Sequence, residues 1–189
     1  IPSMTVNQWH FMQNIELLKD LADKKLIYGL GISLESPVEE FVTMVQQFPN
    51  AVIHVINGIV HSTELEMLAH KGLKILILGY KEFRRGEGMY QNHGKLIETF
   101  KSELYNTLPT IISDNWFKVV SFDNLAIKQL DPKRLMSEDK WNEFYMGDDG
   151  QFTMYVDLVK REFAKSSIST KRYALADDIK TMFDKVRCE

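Results

Sequence analysis

Hydrophobic positions in the first two thirds of the chain alternate between helical spacing and short continuous apolar runs. Residues 7–24 carry apolar side chains at helical spacing, which predicts a helix. Ser36-Pro37-Val38-Glu39 has the residue types that begin a helix, and residues 91–108 repeat the helical spacing. Between these segments lie four apolar runs that predict strands: Leu26–Ser33, Ala51–Asn57, Leu73–Gly79 and Phe117–Phe122.

Nearly continuous apolar strands that alternate with helices are typical of a parallel sheet covered by helices. Because the crossover connections between such strands are right-handed, two topologies fit: an open doubly wound sheet, or an arc of a β/α barrel. In either one, the carboxyl ends of the strands lie at one edge of the sheet, where ligands bind.

The pattern changes after Asp131-Pro132. A short helix is predicted over Ser137–Tyr145, and a β-hairpin is predicted from Phe152–Asp157 and a second extended run at Arg161–Lys165. A terminal amphipathic helix is predicted over Ala174–Arg187. We therefore divide the chain into an α/β part, residues 1–131, and a small α+β extension, residues 132–189.

The amino-acid composition argues against several classes of protein. The 189 residues are 44% apolar and 26% charged, as in a soluble globular protein, and the net charge of −3 argues against a nucleic-acid partner. No apolar run is long enough to cross a membrane. The single cysteine, Cys188, cannot form a disulfide or a metal cage by itself, so we expect a cytoplasmic protein without a metal site.

Polar residues follow each predicted strand. They are Ser33, Asn57-Gly58, Gly79-Tyr80 and Asp123-Asn124, and we expect them to gather around one mouth at the carboxyl edge of the sheet. A loop rich in arginine and glycine, residues 81–88, contains Arg84 and Arg85, whose guanidinium groups could hold a carboxylate or a phosphate. His54 lies inside a predicted strand, where a core histidine with satisfied ring nitrogens is the usual case.

Four segments in order resemble the C-terminal part of the radical S-adenosylmethionine (radical SAM) core: LIYGLGISLESP, HVINGIVHSTELEML, KILILGYKEFRRG and VSFDNLAIKQL. The resemblance covers about residues 1–130 and implies a partial β/α (TIM-like) barrel, here with about four parallel strands.

The resemblance also implies roles for individual residues. Ser33 would contact the ribose of S-adenosylmethionine, Ile56 would form an apolar wall beside Asn57-Gly58, and Gly79-Tyr80 would complete the nucleoside site. The residues expected on the substrate side are Arg84, Arg85, Asp123, Asn124 and Lys128.

The chain departs from the family in one respect, because the CxxxCxxC motif that binds the 4Fe-4S cluster does not occur in it. We therefore expect a C-terminal fragment, or a relative that has lost the chemistry. The full-length parent would use S-adenosylmethionine and a 4Fe-4S cluster on a small-molecule or peptide substrate. This chain alone is expected to bind neither cofactor and to be inactive.

The start of the chain, Ile1-Pro2-Ser3-Met4, favours the fragment. A barrel cut there would expose the edge of strand Leu26–Ser33, so we expect an edge-to-edge homodimer. Residues 145–157 resemble a hairpin extension that presents cysteines to auxiliary clusters in larger relatives, but they contain no cysteine.

Two alternatives remain open. The chain could be an intact β/α-type enzyme that binds a phosphorylated small molecule through Lys81, Arg84 and Arg85. It could also be a non-catalytic binding module, which would show an apolar surface patch rather than a polar pocket.

Overall fold

The computed structural model describes residues 2–83 and 85–189. The chain divides into two compact units, Ile1–Pro132 and Lys133–Glu189. Within the described residues, no helix combines the length and the apolar character that crossing a bilayer requires.

Strands and helices alternate along the larger unit, and its five strands form one parallel sheet in chain order. The elements are β1 (Met4–Asn7), α1 (Gln8–Gln13), α2 (Ile15–Asp23), β2 (Leu30–Ser33), α3 (Glu39–Val45), β3 (Ala51–Ile56), α4 (Ser62–Leu68), β4 (Lys74–Leu78), α5 (Arg85–Ser113), β5 (Val119–Phe122) and α6 (Asn124–Leu130).

One face of this sheet forms the core of the larger unit. Ile32, Ile53 and Ile75 are neighbours in the strand register and are fully buried. Since the strands follow one another in chain order and right-handed crossovers all advance in the same direction, the connecting helices lie on this one face.

No described connecting helix of the larger unit is placed on the opposite face, which we call the open face. Its central row of neighbours is half-buried or exposed throughout and consists of Asn7, Ser33, His54, Leu76 and Ser121. Parallel sheets are normally buried on both sides. The open face is therefore the unusual feature of this fold.

The sheet has five strands rather than the predicted four, because residues 4–7 form an additional strand, and the helix predicted from residue 7 begins at Gln8. β1 pairs with β2 along its whole length. The predicted exposed edge at Leu26–Ser33 is therefore wrong, and pairing of two copies through it would require β1 to leave. Among the described residues β1 and β5 are the sheet edges, so the sheet does not close into a barrel.

Helix α3 begins later than the sequence indicates. Its N-cap is Val38, which makes no side-chain capping bond. The backbone of Ser36 instead binds the buried side chain of Gln8: the Gln8 Nε2 donates to the Ser36 carbonyl at 2.7 Å, and the Ser36 N–H donates to Gln8 Oε1 at 2.9 Å. The helix start predicted at Ser36-Pro37-Val38-Glu39 is therefore placed too early, and Ser36 does not cap the helix.

A short 3₁₀ helix, Pro132–Leu135, follows α6. The smaller unit contains α7 (Glu138–Phe144), β6 (Tyr155–Asp157), β7 (Glu162–Ala164), β8 (Tyr173–Ala174) and α8 (Ile179–Arg187). β6 and β7 form the predicted antiparallel hairpin, and β8 extends it to three strands. The terminal helix therefore begins at Ile179 and not at Ala174.

Candidate functional site

Asp123 links the ends of two strands at the carboxyl edge of the sheet. Its Oδ1 accepts hydrogen bonds from the backbone N–H of Gly79 at 2.9 Å and of Ala126 at 2.7 Å. The second bond caps α6. A Cβ on Gly79 would lie 2.7 Å from the Ala126 nitrogen, so only glycine allows α6 to approach β4 this closely.

A second link at this edge is made by Gln129 on α6, which the sequence did not single out. Its Oε1 accepts from Asn57 Nδ2 and from the Tyr80 N–H, both at 2.9 Å, and its Nε2 donates to the Tyr80 carbonyl at 2.8 Å. Asn57 is 1% exposed. The only sequence signal for this role is that Gln129 borders the buried stripe of α6 formed by Ala126 and Leu130.

The side chain of Tyr80 is buried and directed toward α5. Its hydroxyl donates to the Gly86 carbonyl at 2.7 Å, and the Lys101 Nζ lies 5.1 Å from its ring centroid. Burial raises the pKa of the Tyr80 hydroxyl. Gly58 adopts φ +87, which favours glycine, and it approaches the side chain of Ile97 on α5. Asn57, Gly58 and Tyr80 therefore contact the helical layer.

Ser33 and Ile56 are placed differently, because both lie toward the open face. They line a cavity of about 130 Å³ together with Glu35, His54 and Leu78, among others. Ile56 is 40% exposed and pairs with Leu78 in the register, so the two form an apolar surface beside the Ser33 hydroxyl. The strand ends thus share one edge of the sheet, but their side chains divide between the open face and the helical layer.

Glu64 also lines this cavity, but its carboxylate already has a partner. Glu64 Oε2 accepts from the His61 N–H at 2.9 Å, while the His61 ring accepts from the Thr63 N–H. Together these bonds form a capping box at the start of α4.

The residues predicted on the substrate side are dispersed over two helices. Arg85 is the exposed first residue of α5, whereas Asn124 begins α6 and Lys128 is exposed on the same helix. Arg84 lies outside the described residues.

His54 differs from the expected core histidine. It is half-buried on the open face, and no hydrogen bond joins its ring to another residue within ranges 2–83 and 85–189. Desolvation by burial lowers its pKa from the usual 6.5. Burial therefore favours the neutral form of the imidazole.

In the part of the chain that the structure describes, no three His, Cys, Asp or Glu side chains are close enough together to hold a metal ion. Cys188 is exposed in the smaller unit. Comparison of the chain with protein-family models, with curated proteins and with solved structures found no match.

Proposed function

We propose that this chain forms the C-terminal part of the partial β/α barrel of a radical SAM enzyme, in which the open face lines the interior. Five parallel strands in consecutive order, with all connecting helices on one side, are the arrangement that a segment of such a barrel has. A doubly wound sheet would reverse its strand order and cover both faces.

The observation that carries the proposal is the pairing of a hydroxyl with an apolar surface at the carboxyl edge of the open face. Ser33 supplies the hydroxyl, and Ile56 with Leu78 supplies the surface. A nucleoside has matching parts, because its base is planar and largely apolar on its faces, whereas its ribose carries hydroxyl groups. These residues fit the nucleoside part of S-adenosylmethionine.

The residues of this chain do not fit a 4Fe-4S cluster. Such clusters are held by several thiolates, and the sequence contains only Cys188, which is exposed. Under the proposal, the cluster ligands belong to another part of the intact protein, and this chain contributes binding surface but no cluster ligand. The chain alone is then inactive.

The test is reconstitution of the intact gene product with iron and sulfide under anaerobic conditions. The proposal predicts the absorbance of a 4Fe-4S cluster and, after reduction, cleavage of S-adenosylmethionine to methionine and 5′-deoxyadenosine. Absence of cluster absorbance would refute the proposal.

Variants of the intact protein test whether S-adenosylmethionine binds at the open face. Ile56→Ala should weaken S-adenosylmethionine binding by roughly tenfold, because an apolar contact of about 1.4 kcal/mol is lost. Leu96→Ala is the matched control, since Leu96 is also an exposed aliphatic residue but lies on α5. Equal affinity in the two variants would contradict a nucleoside site at Ile56.

A further inference from the structure

His54 occupies the centre of the open face. In the strand register it is paired with Ser33 on β2 and with Leu76 on β4, and it lines the same cavity as Ser33 and Ile56. Whatever fills this cavity therefore lies within reach of an imidazole.

The imidazole has room on the open face because the neighbouring position on β2 is Gly31. A Cβ on Gly31 would lie 2.5 Å from the His54 Cε1 and 2.7 Å from its Nε2. The same point would be 2.9 Å from the Thr5 hydroxyl on β1. The ring of His54 therefore lies across the bare backbone of Gly31, in a space that any other residue would fill.

The His54 ring makes no hydrogen bond to another described residue, so its two nitrogens are available to a ligand. A neutral imidazole has one N–H donor and one nitrogen acceptor, and neither is used by another described residue. The ring nitrogens of His54 are not among the buried side-chain atoms without a partner, so they are open to solvent and a ligand with a complementary group can bind them in place of water.

The charged groups around the ring are few. Glu35 and Glu64 line the cavity, and Glu64 is engaged in the cap of α4. Lys74 on β4 belongs to the same face, but its Nζ donates to the Pro49 carbonyl at 2.8 Å. β1 and β2 contribute no charged side chain to this face. His54 is the one imidazole among these described groups.

We propose that the His54 ring hydrogen-bonds to a hydroxyl or amino group of the nucleoside part of S-adenosylmethionine, in the cavity that it shares with Ser33. This inference rests on the proposed function. The contact is made possible by Gly31 on the adjacent strand.

The experiment measures binding of S-adenosylmethionine to the reconstituted intact protein by equilibrium dialysis at pH 7.5 and pH 5.5. His54→Ala should weaken binding about five- to tenfold at pH 7.5, as expected for one lost hydrogen bond, and His54→Gln should weaken it less because an amide keeps a donor and an acceptor. His10→Gln, an exposed position on α1, is the matched control.

The pH dependence separates recognition from a structural role. Protonation of His54 removes its acceptor nitrogen, so the affinity of the His10→Gln control should fall on acidification more than the affinity of His54→Gln does. If all variants bind equally at both pH values while the protein still cleaves S-adenosylmethionine, the His54 assignment is wrong and the proposed function stands. If the intact protein forms no cluster and does not bind S-adenosylmethionine, both proposals are wrong.

Discussion

Replacement of Gly31 by alanine tests the packing that places His54 on the open face. The new Cβ would lie within 3 Å of two ring atoms of His54 and of the Thr5 hydroxyl. Because these atoms belong to side chains, the ring can rotate away, but it then loses its present position over β2.

The expected cost follows from two opposing terms. Overpacking typically destabilises by about 1–3 kcal/mol. Gly31 has no positive φ, so alanine also restricts the unfolded chain without backbone strain, which stabilises by about 0.4–1 kcal/mol. We therefore expect Gly31→Ala to lower the free energy of unfolding by about 1–2 kcal/mol.

The assay is urea denaturation of the Trp141→Phe protein, followed by tryptophan fluorescence. Trp9 and Trp116 then report on the larger unit alone. In a His54→Ala background the clash with the ring is absent, so Gly31→Ala should cost less than about 0.5 kcal/mol, a coupling of roughly 1 kcal/mol. An equal cost in both backgrounds would refute the contact between these two positions.

Three further results are expected. Gly79→Ala should destabilise the larger unit by about 2–3 kcal/mol, because the new Cβ meets the backbone of Leu125. The control Gly88→Ala places its Cβ in open space and should be neutral or stabilising. Equal melting temperatures of the two variants would contradict this expectation. Gln129→Ala leaves the Asn57 amide and the backbone N–H and carbonyl of Tyr80 without their partner, and it should lower the free energy of unfolding by about 2–4 kcal/mol in urea titrations. A loss below about 0.5 kcal/mol would contradict the linking role of Gln129. Burial lowers the pKa of His54, so the folded state binds fewer protons than the unfolded state, and stability should fall as pH decreases below about 6.5. His54→Gln should flatten this slope, and an unchanged slope would contradict a desolvated, half-buried imidazole.

The sequence predicts strands β2–β5 because each contains an apolar run bounded by glycine, asparagine or charged residues. It does not predict β1, since the four residues Met4–Asn7 are mostly exposed and become a strand only by pairing with β2. Local pattern also placed the start of α3 at Ser36, whereas the Gln8 side chain, 28 residues away, engages that backbone.

The candidate site was also predictable only in part, because several of its contacts join residues that are distant in the sequence. That Ser33, Asn57 and Tyr80 follow parallel strands can be inferred from the alternation of elements. Which side of the sheet each side chain takes cannot be inferred where the strand ends in a turn, and the bonds of Gln129 are too distant in sequence to leave a local signal. The space for His54 depends on Gly31, which becomes its neighbour only through the register of β2 with β3.

The most direct measurement is a crystal structure of the intact protein with S-adenosylmethionine. The account predicts that further parallel strands continue the sheet beside β1, that the open face becomes interior, and that the nucleoside lies against Ile56 with its ribose near Ser33. A nucleoside bound elsewhere, or an open face covered by helices as in a doubly wound sheet, would contradict the account.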